Sequence, residues 1–344
     1  MKAVRGSALQ IIFALLVLQG CAMRSAVDPA LMSFDQGRLP AADVSLNIPG
    51  LGPCTDSPDR TLRLNSKEPV NVLVHGCFGS TGQFRGLAEV LAFQGQQSAC
   101  FTYDDRAALD VPADELATAI DELLKSTHHP AGITPVTIIG HSQGALVARR
   151  ALTSTRGEAI DRPGTTGRPG TLGRPGTQLG LVTVSGPFAG IAAADACGSP
   201  IVRVISLGLI APMCRIGTGA KWSDITYSSD FIRNPGSLNA QVVRHLKIDT
   251  DERESCRRTV DGRCIENDYT FSLEEQRNPV VDADRAAQVV EVKAGHVEIV
   301  GDQRIAPMKL IALLQQYGVI NTTEPQRASA FDALLARVYG MRHR

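Results

Sequence analysis

The residues best suited by type and spacing to do chemistry are Gly140-His141-Ser142-Gln143-Gly144. The β-branched run from Val136 to Ile139 before them favours a buried strand, and Ala145 to Arg150 after them opens a helix. Strand, Gly-x-Ser-x-Gly and helix together describe a nucleophile elbow, a sharp turn that holds a serine in a strained backbone conformation above the edge of a sheet. Glycine is needed on both sides because a side chain there would meet other backbone. A serine hydroxyl is a poor nucleophile at neutral pH. It needs a base to take its proton, a carboxylate to hold that base in one tautomer, and donors aimed at the oxyanion that forms on attack. Ser142 is the candidate nucleophile, and the rest of the chain must bring it the other three.

The elements around the elbow suit that task. Val70 to Val74 reads as a strong strand, with Thr61 to Leu64 as an earlier one. It runs into His75-Gly76-Cys77-Phe78-Gly79-Ser80, a loop that can expose backbone N–H groups before a helix over Phe84 to Ala92. No Gly-Lys-Ser/Thr follows, which excludes a P-loop. Cys100 to Tyr103 is the next strand, and Ala113 to Leu124 is an amphipathic helix begun by Pro112. Beyond the elbow come strands at Leu181 to Val184, Val242 to Ile248 and Gln288 to Val292, then closing helices over Ala306 to Tyr317 and Ala328 to Tyr339. The alternation predicts an α/β fold, with a mostly parallel twisted sheet, right-handed crossovers and helices on both faces. Arg-Pro-Gly-Thr recurs at 162, 168 and 174, so 162–177 reads as an exposed insertion. The apolar, irregular stretch 191–229 reads as a lid over the site, or as further core helix.

Val-Leu-Val-His-Gly at 72 to 76, Gly-His-Ser-Gln-Gly at 140 to 144 and Thr-Val-Ser-Gly-Pro-Phe-Ala-Gly at 183 to 190 together resemble the bacterial lipases and esterases of the α/β-hydrolase superfamily. The third segment resembles the family's Thr-x-x-x-Pro-His-x-Gly, with Phe188 in place of His. The likeness covers most of residues 70 to 300 and implies the α/β-hydrolase fold. In that fold the chain order is serine, then Asp or Glu, then His. His296, in Ala-Gly-His after the last strand, has the right position for the base. Three carboxylates compete as acid. Asp251 is closest to the end of its strand. Asp268 lies in Asn267-Asp268 followed by Ser272, which resembles the family's acid-bearing Asn-Asp-Gly-x-Val-x-x-x-Ser region, although Tyr269 replaces Gly. Asp230 sits in Ser229-Asp230-Phe231-Ile232, which looks like a family segment outside the catalytic set. The resemblance implies Ser142 as nucleophile, His296 as base, Asp268 as its orienter, and the backbone N–H groups of Cys77 and Gln143 as oxyanion donors.

Lys2 and Arg5, the apolar run Ile11 to Leu18 and then Leu18-Gln19-Gly20-Cys21 resemble a lipoprotein signal, too short to span a bilayer. That implies removal of 1–20, lipidation of Cys21, and an envelope protein held by its acyl chains; Ala22 after Cys21 points to an outer-membrane address facing the periplasm. The organisation expected is then signal 1–20, tether 21–60, hydrolase domain 61–320, and a C-terminal helix with basic tail at 321–344. Export makes Cys54, Cys77, Cys100, Cys197, Cys214, Cys256 and Cys264 disulfide candidates. Seven is odd, so at least one thiol stays outside a bridge. Cys256 and Cys264 flank the turn signal Asp261-Gly262 and suit a bridged hairpin, Cys197 with Cys214 would close a loop, and Cys54, Cys77 and Cys100 compete.

Lys plus Arg and Asp plus Glu balance at 35 each and aromatics are 5% of the chain, so no nucleic-acid partner is indicated. No cysteine or histidine spacing reads as a metal site, and no cofactor is called for. The expected activity is carboxylic ester hydrolysis, with an ester or lipid substrate. An acyltransferase or thioesterase could use the same triad. A non-catalytic envelope lipoprotein would keep the fold without the chemistry.

Overall fold

The structure is a computed structural model that describes residues 39–77, 79–128, 134–154, 171–194, 219–302 and 305–340. The signal and Cys21, the Cys197–Cys214 pair, the first part of the Arg-Pro-Gly-Thr repeat and the middle of 191–229 lie outside the described residues.

The strands are β1 (Val44–Leu46), β2 (Leu51–Gly52), β3 (Leu62–Leu64), β4 (Val70–Val74), β5 (Gln97–Phe101), β6 (Val136–His141), β7 (Leu179–Val184), β8 (Val242–Asp251), β9 (Cys256–Val260), β10 (Arg263–Asn267) and β11 (Ala287–Lys293). The main sheet has seven strands in the order β2-β5-β4-β6-β7-β8-β11. All its pairings are parallel except β2 on β5 at one edge. Parallel strands need crossover helices on both faces, so both faces are buried and the strands read as continuous apolar runs. On one face Val72, Ile138 and Leu181 pack with helices α1 (Asp110–Ser126) and α2 (Gln143–Ala151). On the other, Leu73, Ile139, Val182 and Ile248 pack with the helices Arg85–Phe93, Met308–Gln316 and Ala328–Tyr339. The alternation of neighbours between the two faces is the period of two that a strand imposes.

Sequence expectation and structure part where polar groups are buried. β5 begins at Gln97 rather than Cys100, because the buried Gln97 amide donates to the carbonyls of Asn65 and Glu68, both at 3.1 Å. β8 continues past Ile248 to Asp251. Of its added residues Asp249 and Thr250 are polar but buried, and Lys247 Nζ lies 2.6 Å from both oxygens of Asp249 and 3.0 Å from Asp282 Oδ1. Hydrophobic periodicity cannot see a strand whose buried residues are charged and paired.

The stretch expected to be tether is described from Leu39 onward, and β2 within it joins the sheet edge, where a disulfide between Cys54 and Cys100 ties it to β5. That bridge decides the competition among Cys54, Cys77 and Cys100. The hairpin bridge Cys256–Cys264 is present as expected. In the repeat, Leu172 is buried and its backbone N–H and carbonyl both bond the Gln241 amide at 2.8 Å, while Thr171, Arg174, Pro175 and Gly176 are exposed.

His245, within β8, is fully buried, with Nε2 2.9 Å from Thr183 Oγ1. Burial, reinforced by Arg149 and Lys247, pushes its pKa down to about 3. The unfolded chain titrates near the ordinary value of about 6.5. The folded-state pKa is thus depressed: stability is fully present above about 6.5 and is lost as pH falls from there towards 3. Urea denaturation at pH 7.5 and 5.0 should show wild type losing about 2 kcal/mol more than His245→Gln over that interval. Equal losses in the two proteins would mean that His245 protonates in the folded state.

Candidate active site

β6 delivers Ser142 at its C-terminal end, and α2 starts one residue later. Ser142 has φ 57° and ψ −125°, a left-handed conformation that L residues seldom adopt, and its N–H donates to Val184 O at 2.9 Å. The flanking glycines are required by close approach. A side chain on Gly140 would overlap the carbonyl of Gly144, and one on Gly144 would overlap the carbonyls of Val74 and His75. The loop after β4 also lies against the serine: a β-carbon on Gly76 would sit 2.9 Å from Ser142 Cβ. Cys77 and Gln143, the expected oxyanion donors, are the next residues along these two segments.

His75, in the same loop, is a packing residue. Its ring stacks on Tyr103 with centroids 4.5 Å apart, and Tyr103 donates to His75 O at 2.7 Å. His141 is buried under the site. Its Nε2 donates to the backbone carbonyl of His296 at 3.0 Å, and the two rings lie 4.7 Å apart. Burial first, then repulsion from His296, holds His141 well below the ordinary histidine pKa, so it stays neutral.

His296 follows β11 and comes to the same edge of the sheet as Ser142. Its ring is buried against the edge of Phe271, with centroids 4.8 Å apart and planes at 88°. Its Nδ1 lies 2.8 Å from Glu252 Oε1. Glu252, the first residue past β8, is 1% exposed. Four donors surround its carboxylate: His296 Nδ1 and Thr250 Oγ1 at 2.8 and 3.1 Å on Oε1, and the N–H groups of Thr270 and Phe271 at 2.6 and 2.8 Å on Oε2. Ser185, itself at φ 49°, supports Thr250 through a hydroxyl contact of 2.7 Å. A buried carboxylate with every lone-pair direction occupied is fixed in place and can hold a neighbouring ring in one orientation.

The partner of His296 Nδ1 is thus Glu252 and not the expected Asp268. Asp268 does not reach the imidazole. Its two oxygens accept the N–H groups of Val297 and Glu298 at 3.0 and 2.9 Å, and its backbone carbonyl accepts the N–H of His296 at 2.9 Å. Asp268 clamps the loop that carries His296, and burial raises its carboxyl pKa. Asp251 points into an exposed pair with Arg253, whose guanidinium holds its pKa down to about 2. Asp230 accepts from Asn234 on its own helical turn. Sequence reasoning misses Glu252 because hydrophobic periodicity ends β8 three residues early. Alternation along Thr250-Asp251-Glu252 puts 250 and 252 on one side and 251 on the other, and that is the signal that could have found it.

Gly295 makes the clamp possible. A methyl group there would overlap Asp268 Oδ2. Gly295→Ala should expel the carboxylate from the Val297 and Glu298 N–H groups and cost about 2–3 kcal/mol of stability. Urea denaturation measures this, and an unchanged midpoint would show that the clamp contributes nothing.

No family model matches the chain, and no curated protein is similar to it in sequence. Several solved structures are similar in shape. The mature form of Bacillus licheniformis lipase BlEst2 aligns with TM-score 0.45 and 14% identity over 78% of this chain and 96% of that one. Esterase B from Lactobacillus rhamnosis, in a C6-C4 SN3 inhibited form, aligns with TM-score 0.48 and 14% identity over 95% and 96%. Native Est2, an esterase from the planctomycete Thermogutta terrifontis, aligns with TM-score 0.44 and 14% identity over 84% and 99%. The chain's own strand order, its one antiparallel edge and its serine elbow between the strand and helix at the sheet centre are those of the α/β-hydrolase fold.

Proposed function

We propose that this protein is a serine hydrolase that cleaves carboxylic esters, with Ser142 as nucleophile, His296 as base and Glu252 as the carboxylate that orients it. The observation that carries this reading is the buried Glu252–His296 pair at the same sheet edge as a strained serine elbow. With Nδ1–H donated to Glu252, the imidazole keeps its lone pair on Nε2, the nitrogen that would take the Ser142 proton. The serine oxygen attacks the ester carbonyl, and the oxyanion is received by the backbone N–H groups of Cys77 and Gln143. Imidazolium then protonates the departing alkoxide, leaving an acyl-serine. Water, deprotonated by the same ring, releases the acid.

A fluorophosphonate probe tests the reading, because its phosphorus forms a stable bond only with an activated serine. Wild type should label at one site and Ser142→Ala should not; folded wild type that fails to label would favour a non-catalytic role. Substrates that are lipid acyl esters are supported by the lipoprotein-type start of the sequence and by the apolar stretch 191–229. Hydrolysis across a series of acyl chain lengths would decide between these and short soluble esters. The same start supports anchoring through Cys21 in the cell envelope; Cys21→Ser should shift the protein from the membrane fraction to the soluble fraction, and an unchanged distribution would remove the anchor.

A further inference from the structure

Lys221 is completely buried, yet the catalytic scheme above gives it no part. Its Nζ lies 2.9 Å from Cys77 Sγ and 3.1 Å from Asp105 Oδ2. Asp105 in turn accepts, through its backbone carbonyl, the side-chain amide of Gln143 at 3.0 Å. The two residues whose N–H groups would form the oxyanion hole come from segments far apart in the chain, the loop after β4 and the first turn of α2. The Lys221–Asp105 pair touches both.

The pair is itself held firmly. The short helix Lys221–Asp224 is fixed to the loop between β5 and α1 at both ends: the N–H of Ala220 donates to Arg106 O at 2.7 Å, and Asp224 Oδ2 accepts the N–H of Leu109 at 2.8 Å. Gly219 passes so close that a side chain on it would overlap the Arg106 carbonyl. Burying an ammonium group is costly even when it is paired, and an apolar residue of similar length would fill the space without that cost. A charge kept there has a directional use: it draws the Cys77 side chain and the Asp105 turn to fixed places.

We infer that Lys221 and Asp105 are positioning residues that brace the two halves of the oxyanion hole against each other. The inference rests on the serine hydrolase reading and assigns the pair no contact with substrate. Displacing an oxyanion donor by a fraction of an ångström weakens transition-state binding more than substrate binding, because the donor is set for the oxyanion and not for the ground-state carbonyl.

The test uses Lys221→Met and Asp105→Asn in the full chain. The second keeps the backbone carbonyl that receives Gln143 and decides the matter if the first fails to fold. Both should lower kcat on a p-nitrophenyl ester by roughly 10- to 100-fold with KM within about twofold. Ki for a trifluoromethyl ketone, which forms a tetrahedral adduct, should rise by a similar factor, while Ki for the matching alcohol, which cannot, stays put. Folded variants with kcat within about threefold of wild type, or with both inhibitors weakened equally, would overturn the brace and leave the hydrolase reading intact. A wild type that neither hydrolyses esters nor binds the trifluoromethyl ketone would sink the hydrolase reading itself, and the brace with it.

Discussion

Ser142→Ala is expected to lower kcat for ester hydrolysis by roughly 10⁵- to 10⁶-fold while leaving the protein folded. The loss is large because the hydroxyl supplies the oxygen that displaces the alkoxide and carries the acyl group until water releases it. Folding should survive because alanine keeps the β-carbon. The strain of φ 57° at this position is therefore carried equally by both residues. The N–H of residue 142, which donates to Val184 O, is untouched. A change in unfolding free energy within about 1 kcal/mol is expected. A residual rate above the uncatalysed one should remain, since the oxyanion donors still act on a bound ester attacked by water. Kinetics under conditions that exclude contaminating wild type, with circular dichroism as the folding control, would measure it. A variant that retains a tenth of wild-type kcat would require another nucleophile.

Glu252→Gln is expected to cost roughly 10⁴-fold in kcat, and the comparison with Asp268→Asn gives it meaning. Glutamine has the shape of glutamate but can present its NH₂ to Nδ1 of His296. The ring would then accept at Nδ1 and carry its proton on Nε2, where it could no longer take one from Ser142. It would also lack the charge that stabilises imidazolium. Asp268→Asn acts differently. It replaces one of two oxygens that receive the Val297 and Glu298 N–H groups, so it loosens the loop under His296 without touching the ring. About a tenfold fall in kcat with about 1–2 kcal/mol of lost stability is expected there. Asp251→Asn, which breaks an exposed pair with Arg253, should leave kcat within about twofold. If Asp268→Asn proved the more damaging to kcat and Glu252→Gln nearly silent, the acid role would belong to Asp268 after all.

These contrasts show how far the amino-acid sequence alone reaches. The elbow is legible because its requirement is local. Two glycines, a serine and an apolar run must be adjacent in the chain to make that turn, and Gly140 and Gly144 stand where the backbone has no room for a side chain. The mostly parallel sheet is legible for a similar reason, since the pattern of buried residues is written into each run and the helices between the strands imply right-handed crossovers. His296 could be placed at the sheet edge that carries Ser142 because it follows the last strand directly.

The carboxylate that meets Nδ1 of His296 could not, because its selection is not local. Asp251, Glu252 and Asp268 are all carboxylates near the ends of elements, and composition distinguishes none of them. What separates them is where β8 stops and which way successive side chains face beyond it. That extension depends on buried charges, Lys247 with Asp249, whose pairing is visible only after the chain has folded. The same holds for the bridge between Cys54 and Cys100, brought together by the antiparallel edge strand across a sequence separation of 46, and for Lys221, which lies 144 positions from the cysteine it touches. Short-range chemistry is determined by residue type and spacing along the chain. Long-range pairing of polar groups is decided by tertiary structure, because the free energy that selects one partner over another comes from burial and hydrogen-bond geometry that no single segment possesses.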